Sequence, residues 1–223
     1  MNIKNSLLKY LEKINYHSTL RDLFSRGRNI NVVYDIGAHK GRWTKQHTSL
    51  LPTAKFYLFE ANKEHAEKLM SRGHKIFIGV LSADGMPAKF FKKSGTGDSL
   101  YRENTSVYSD DSFEVVPTKT LQQTAALENL PKPNFIKLDV QGAEIDILRG
   151  AGDLLDDCSL ILCECPIASY NLGAPELKEY IDFLKSLGFS PLRVTEQHTD
   201  NGILLQIDIL FLRNSVQEKI FSG

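Results

Sequence analysis

Four carboxylates stand at or beside the ends of short apolar runs in this sequence. In chain order they are Asp35, Glu60, Asp139 and Glu164. Because the carboxyl ends of parallel strands form the ligand-binding edge of an open α/β sheet, we expect these acids to line one polar cleft. Such a cleft suits a ligand that carries hydroxyl groups or positive charge.

A glycine turn follows the first of these acids and runs Gly37-Ala38-His39-Lys40-Gly41 into a predicted helix. Glycine lets the backbone approach a ligand closely, and the first amides of the helix then face that ligand. A dinucleotide fold prefers Gly-x-Gly-x-x-Gly around its pyrophosphate, whereas Asp35 beside this turn repels phosphate. Glu60 follows the turn by about 20 residues, where a carboxylate accepts hydrogen bonds from ribose hydroxyls. The pattern therefore favours S-adenosylmethionine, an adenosyl ligand without phosphates, over NAD.

The elements that must position these residues alternate between short apolar runs and stretches of helical period, which is typical of an α/β domain. The predicted strands are 31–36, 56–59, 76–80, 135–140 and 160–164, with a terminal hairpin of 190–195 and 204–212. The predicted helices are 43–50, 63–71, one opening at 142–144, and 175–187. We predict a Rossmann-like α/β fold with a mostly parallel seven-stranded sheet, a C-terminal antiparallel hairpin and helices on both faces.

Two segments fall outside this alternation. Residues 1–30 form a predicted amphipathic helical cap, and residues 31–223 form the predicted cofactor-binding domain. The cap is inferred from apolar residues that share one helical face, namely Leu7, Leu8, Leu11 and Ile14. Residues 81–133 lie between the third and fourth strands, and an excursion of this length is typical of a lid or substrate loop.

Composition limits the partners. The 223 residues carry 27 basic and 27 acidic side chains, which argues against a duplex-DNA binder because that function requires a basic face. No apolar run reaches the roughly 20 residues of a membrane span. Three cysteines, an odd number, predict reduced core thiols and a cytoplasmic location. We therefore expect no nucleic acid partner and no membrane span. The oligomeric state stays open: the basic N-terminal helix is either a solvated face of a packed helix or the contact surface of a homodimer.

At this point the sequence resembles the FkbM-like methyltransferases, a branch of the Rossmann-like class I enzymes that use S-adenosylmethionine. The resemblance covers about residues 31–165 and is carried by four stretches: 33–41, Phe59-Glu60-Ala61-Asn62, Gly97-Asp98-Ser99-Leu100, and 136–144 with its continuation to 151. The chain departs from the family pattern twice. It has Glu60-Ala61 in place of Glu-Pro, and Leu121-Gln122 in place of a Leu-Asp pair.

The resemblance implies transfer of a methyl group from S-adenosylmethionine to a hydroxyl of a sugar, glycan or small secondary metabolite. It implies cofactor contacts from Asp35, Gly37, Ala38, His39, Gly41, Glu60, Ala61, Asn62, Ser82, Ala83 and Asp139. A neutral hydroxyl is a poor nucleophile, and a carboxylate that takes its proton contributes about 10²- to 10⁴-fold. We expect Asp139 or Glu144 to be that base, and Ser99 and Glu164 to contact the acceptor.

Alternatives stay open on the sequence alone. An NAD-type oxidoreductase fits the scaffold, but the chain has neither Gly-x-Gly-x-x-Gly nor Tyr-x-x-x-Lys. A non-catalytic adenosyl-binding module is the second alternative. Glu144 alternatively caps its helix or pairs with Lys137. Asp139, Glu144 and Glu164 have the oxygen ligands that Mg²⁺ takes, although our expectation is that there is no metal site.

Overall fold

The computed structural model describes residues 16–21, 23, 29–71, 73–92, 97–103, 112–169 and 171–221. Its strands are β1 (Val32–Ile36), β2 (Lys55–Glu60), β3 (Lys75–Ile78), β4 (Val80–Leu81), β5 (Ala88–Phe90), β6 (Arg102–Glu103), β7 (Glu114–Val116), β8 (Thr118–Lys119), β9 (Phe135–Leu138), β10 (Leu160–Pro166), β11 (Asn171–Leu172), β12 (Phe189–Asp200) and β13 (Ile203–Arg213). Its helices are α1 (Arg42–His47), α2 (Ala66–Met70), α3 (Leu121–Leu127), α4 (Glu144–Arg149), α5 (Leu177–Ser186) and α6 (Asn214–Phe221), and residues 16–21 are also helical.

Seven of these strands form the central sheet, in the order β3-β2-β1-β9-β10-β13-β12. The pairs from β3 through to β10 are parallel, and β13 is antiparallel to both β10 and β12. The predicted fold class is thereby confirmed, including the C-terminal antiparallel hairpin. The chain runs outward from β1 to β3 and then returns to β9 on the other side of β1, which creates a switch point where ligands bind in such sheets.

Helices cover both faces of the sheet because its central strands are apolar on both sides. All five residues of β1 are buried, and its side chains alternate between two core clusters. Tyr34 and Ile36 pack with Ile145 of α4 and Tyr180 of α5 on one face. On the other face Val33 packs in a cluster that includes Leu20, Leu69 and Val216.

The structure bears on two predicted regions, the N-terminal cap and the 81–133 excursion. The apolar residues 7–14 of the predicted cap lie outside the described residues, and the domain boundary at residue 31 stays a prediction. The last part of the 81–133 excursion is the helix α3, whose Leu121 and Ala125 are buried against the sheet, and a lid or substrate loop in the rest of the excursion stays a prediction. A capping box between Thr120 and Gln123 fixes the start of that helix. Over the parts of the chain given above, no helix is long and apolar enough to cross a membrane.

Candidate active site

Two turns touch each other at the switch point, one after β1 and one after β9. Gly37 has a φ of +75°, and a Cβ at this position would lie 1.9 Å from the carbonyl oxygen of Asp139. The amides of Gly37 and Ala38 both donate to the carbonyl oxygen of Phe59 at 3.0 Å. Glycine is required here because any side chain would push the two turns apart.

A buried ion pair lies beneath these turns. The Lys137 ammonium is 3.1 Å from Asp35 Oδ1 and 3.4 Å from Asp139 Oδ2, and it donates to the Gly37 carbonyl oxygen at 3.0 Å. Burial acts to lower the pKa of Lys137, but the two aspartates outweigh it and raise that pKa. Thr44 Oγ1 donates to the other oxygen of Asp35. Asp35 is fully buried, so the structure corrects its predicted cofactor contact: it anchors the glycine turn from below.

The first cavity lies between the ends of β1 and β2 and the 97–100 loop, and has a volume of about 260 Å³. Its apolar walls include Phe59, Val80, Leu81, Phe90, Val140 and Ile147. Its polar walls include His39, Glu60, His65, Asp98, Ser99 and Asp139. The described lining contains carboxylates and histidines but neither lysine nor arginine. This charge pattern accepts a cation or hydroxyl groups and disfavours phosphates.

Glu60 is the carboxylate at the wall of this cavity contributed by β2. One of its oxygens accepts from the His39 amide at 2.6 Å, and the other accepts from the Asn62 amide at 2.8 Å. Burial raises the pKa of Glu60, and these two amides offset that effect only in part. A carboxylate oxygen has a second lone pair, so each oxygen can still accept a hydroxyl from the cavity.

The 97–100 loop closes the first cavity. Ser99 Oγ donates to the Gln141 carbonyl oxygen at 2.7 Å, and Asn62 Nδ2 donates to Asp98 Oδ2 at 2.9 Å. Ser99 was expected at the acceptor; its hydroxyl is instead committed to the turn after β9. These two hydrogen bonds therefore hold the 97–100 loop in place as one wall of the first cavity.

A second cavity of about 600 Å³ lies on the other side of the glycine turn. Gly37, His39 and Asp139 line both cavities. The remaining walls come mainly from α1, from Tyr16 and His17, from β10 and from the β12–β13 hairpin. The other lining residues are Ala38, Lys40, Arg42, Trp43, Gln46, His47, Lys137, Leu162, Glu164, Thr195, Glu196, His198 and Asp208. Sequence reasoning missed the hairpin residues, although the alternation Glu196-x-His198 on a strand facing Asp208 was a usable signal.

Asp139 and Glu164 share a wall of the second cavity. Gln141 Nε2 donates to Glu164 Oε1 at 2.8 Å and lies 3.5 Å from Asp139 Oδ1. Burial acts to raise the pKa of Asp139, but Lys137 and the hydrogen bonds from Glu164 and Gln141 lower it overall. Burial and the charge of Asp139 raise the pKa of Glu164 well above its usual range. The two shifts are opposite in direction, so a proton is held more firmly on Glu164 than on Asp139.

The structure does not bring Glu144 to either cavity, which corrects its prediction as a catalytic base. It is fully buried and its oxygens accept from the amides of Val140 at 2.9 Å and Gly142 at 3.0 Å. The hydroxyl of Tyr180 also donates to it. Glu144 thus holds the 139–142 turn in shape, which is closer to the capping role considered from the sequence.

Some predicted cofactor residues lie beside the cavities rather than in their walls. Ser82 Oγ is 2.6 Å from Thr118 Oγ1, and neither Ser82 nor Ala83 lines the first cavity, whereas Gly79, Val80 and Leu81 do. Gly41 supplies a left-handed residue before α1. Ala61 lines the first cavity and Ala38 lines the second. This part of the cavity wall is therefore formed by residues 79–81, which immediately precede the predicted Ser82 and Ala83.

The fold and the first cavity define an α/β domain with a cavity at the switch point of its sheet, lined by carboxylates and without lysine or arginine among the described residues. A sequence model described as the methyltransferase FkbM domain matches residues 35–191, well over half of the chain. The chain belongs to the FkbM methyltransferase family. Membership in this family identifies residues 35–191 as a methyltransferase domain with S-adenosylmethionine as its cofactor, which counts against the oxidoreductase alternative. The cofactor fits the observed donor set, because its sulfonium is positive and its ribose carries hydroxyls, while the lining offers Glu60 and Asp139.

Individual relatives are distant. The hexuronic acid methyltransferase AglP of Haloferax volcanii is 24% identical over 153 residues, covering 65% of this chain and 60% of AglP. The chain thus spans less than two thirds of the length of that relative. The magnesium protoporphyrin IX methyltransferase ChlM from Synechocystis PCC 6803, solved with bound SAM, has a TM-score of 0.49 at 12% identity, covering 90% of this chain and 79% of ChlM. The fibrillarin of Aeropyrum pernix, also solved with S-adenosyl-L-methionine, has a TM-score of 0.49 at 17% identity, covering 83% and 67%.

Proposed function

We propose that this enzyme methylates a hydroxyl oxygen of a sugar acid, either free or within a glycan. In this proposal the first cavity holds the cofactor and the second cavity holds the acceptor. The observation that supports it most is the shared wall: Gly37, His39 and Asp139 line both cavities. A methyl group that passes between two ligands must do so where their sites meet.

Cofactor binding is assigned to residues in the wall of the first cavity. Glu60 accepts the ribose hydroxyls with the lone pairs that its two amide partners leave available, and Ala61 lies beside it. The apolar walls at Phe59, Leu81 and Ile147 suit the faces of the adenine ring. When bound, S-adenosylmethionine supplies an activated methyl group on its sulfonium. The chain then has to hold the acceptor oxygen in line with that methyl, and positioning of this kind lowers a barrier by several kcal/mol.

Asp139 is the residue that we assign as the base. Its side chain is 44% exposed, so it is open to an acceptor, and Lys137 keeps it ionised. A hydroxyl that donates to Asp139 Oδ1 or Oδ2 would be oriented by that hydrogen bond. Its proton would pass to Asp139 as its oxygen takes the methyl carbon and the carbon–sulfur bond of the sulfonium breaks, with S-adenosylhomocysteine as the leaving group. A carboxylate of low pKa takes the proton late, when the oxygen has already gained positive charge. Glu164 is buried beside Asp139, and the Gln141 side chain connects the two carboxyl groups.

The second cavity has the chemistry of a sugar site. Trp43 offers an apolar ring face, and carboxylates, imidazoles and Gln46 offer hydrogen bonds to several hydroxyls. Lys40 and Arg42 stand in the same wall and match the carboxylate of a uronic acid. AglP is named as a hexuronic acid methyltransferase, which supports the same acceptor class here.

The test is a panel of acceptors incubated with the enzyme and S-adenosylmethionine, with products separated and weighed by mass spectrometry. Glycosides of glucuronic and galacturonic acid should gain one methyl on oxygen, and the matching neutral glucosides and galactosides should react more slowly. Arg42→Gln should reduce the preference for the acidic sugar, whereas Lys45→Gln, on the same helix but outside the cavity walls, should not. Equal rates for acidic and neutral sugars, or methylation of none of them, would overturn the proposed acceptor.

Two further expectations remain proposals. We propose a cytoplasmic location, and the support is that Cys158, Cys163 and Cys165 are free and buried, as in proteins of a reducing compartment. The homodimer stays a prediction, which light scattering of the purified protein decides.

A further inference from the structure

Three side chains of the β12–β13 hairpin converge in the second cavity. Glu196 and His198 lie on β12 and Asp208 lies on β13, and one ligand atom from each lies within 4.8 Å of the others. His198 Nε2 is 3.6 Å from Asp208 Oδ1, which is too long for a hydrogen bond. Neither atom has a hydrogen-bond partner among the described residues, and both are buried. We call Glu196, His198 and Asp208 the hairpin cluster.

The strand register adds a row of acidic side chains at the same place. Asp208 is paired with Glu164 on β10 and with Glu196 on β12, so three acidic residues stand side by side across three adjacent strands. Glu196 and Asp208 face each other as like charges, which destabilises a sheet. Shifts of register between Val194 and Glu196 and between His198 and Thr199 aim this part of β12 at the cavity, as bulges do beside functional sites.

Tyr16 provides an independent observation that points to a ligand in the second cavity. It is 6% exposed and lines the same cavity as the hairpin cluster. Its hydroxyl is buried and has no hydrogen-bond partner in the described part of the chain. Buried hydroxyls are nearly always hydrogen-bonded, so this atom calls for an oxygen ligand in the cavity, such as a water molecule on a cation.

We propose that the hairpin cluster binds one divalent first-row metal ion, with Mn²⁺ as the best match. One imidazole nitrogen and two carboxylate oxygens are a mixed donor set of the kind that such ions accept. At metal–ligand bonds of about 2.1 Å, neighbouring ligand atoms stand roughly 3 to 4.2 Å apart, close to the spacing seen here. The ion neutralises the facing charges of Glu196 and Asp208, and its remaining positions face the cavity. Its role of holding acceptor oxygens rests on the proposed function; its binding does not. This departs from the expectation of no metal site.

The test is titration of the metal-free full chain with MnCl₂, followed by the loss of the free Mn²⁺ signal in electron paramagnetic resonance. The expected result is one Mn²⁺ per chain. Asp208→Asn should weaken binding about tenfold or more, as losses at metal sites do, and Glu196→Gln, at an exposed position, should weaken it with the fold intact. Asp200→Asn is the matched control, since it removes an exposed carboxylate of the same strand outside the cluster.

No bound Mn²⁺, or equal binding by Asp208→Asn, Glu196→Gln and Asp200→Asn, would overturn the site. Because cofactor and acceptor are absent from this titration, its failure leaves the acceptor panel to judge the proposed function separately. If the acceptor panel gives no methylated product while the Mn²⁺ titration gives the expected result, the proposed acceptor is overturned and the metal site stands.

Discussion

Lys137 is the cation on which both turns of the site depend. Its ammonium is 3.1 Å from Asp35 Oδ1 and donates to the Gly37 carbonyl oxygen at 3.0 Å. Lys137→Met keeps much of the apolar length and removes the charge, which leaves the fully buried Asp35 carboxylate without its ion-pair partner. Breaking a buried pair from one side costs about 3–5 kcal/mol, because the remaining charge stays desolvated.

In a domain of this size 1 kcal/mol moves the Tm by about 2–4 °C, so the Tm of Lys137→Met should fall by roughly 6–20 °C. Calorimetry and urea unfolding measure this loss. Adding Asp35→Asn removes the stranded charge and should recover a substantial part of it. Lys132→Met removes an exposed partner of Asp153 and Asp156 and should leave stability almost unchanged. A loss in Lys137→Met no larger than that of Lys132→Met, or no recovery in the double variant, would show that Asp35 does not need the charge of Lys137.

Gly37→Ala should abolish binding of S-adenosylhomocysteine in a calorimetric titration, because the new Cβ would lie 1.9 Å from the Asp139 carbonyl oxygen; unchanged affinity would contradict the contact between the turns. The affinity of the wild type for S-adenosylhomocysteine should fall as the pH drops through the raised pKa of Glu60, above its ordinary 4.5, since a protonated carboxyl accepts poorly from ribose hydroxyls. Glu60→Gln should bind weakly and without this pH dependence, and a parallel pH profile would count against Glu60. Tyr180→Phe should cost about 1–3 kcal/mol in urea unfolding, because it leaves a buried lone pair of Glu144 unsatisfied; no change in stability would show that this hydrogen bond is not needed.

The sheet could be predicted because its signals are local. The apolar runs gave β1, β2, β9 and β10 to within a few residues, and the turn residues Asn201 and Gly202 do separate β12 from β13. Glu60 was also predictable at its strand end, since the spacing from the glycine turn is set by one helix and one strand. A short helix was expected at the end of the 81–133 excursion, but the bounds of α3 could not be predicted because its seven residues follow a long irregular segment.

The roles of the acids were not predictable from spacing, because a carboxylate after a strand has the same sequence signal whether it faces a cavity or the core. Asp35 turns inward because Lys137 reaches it from a strand 102 positions away in the chain. Glu144 turns inward because Tyr180 on α5 and two amides of its own turn satisfy it. The alternation Glu196-x-His198 was a usable signal for the hairpin cluster, but the register shifts of β12 beside it have no local sequence pattern.

The proposed function depends on Asp139 taking the acceptor proton where the two cavities meet. Its most direct test is the kcat of Asp139→Asn with saturating cofactor and acceptor, beside Asp157→Asn as an exposed control outside both cavities. We predict that kcat falls by about 10²- to 10⁴-fold in Asp139→Asn, while S-adenosylhomocysteine affinity and the kcat of Asp157→Asn stay near wild type. A kcat of Asp139→Asn equal to that of Asp157→Asn would show that Asp139 is not the base.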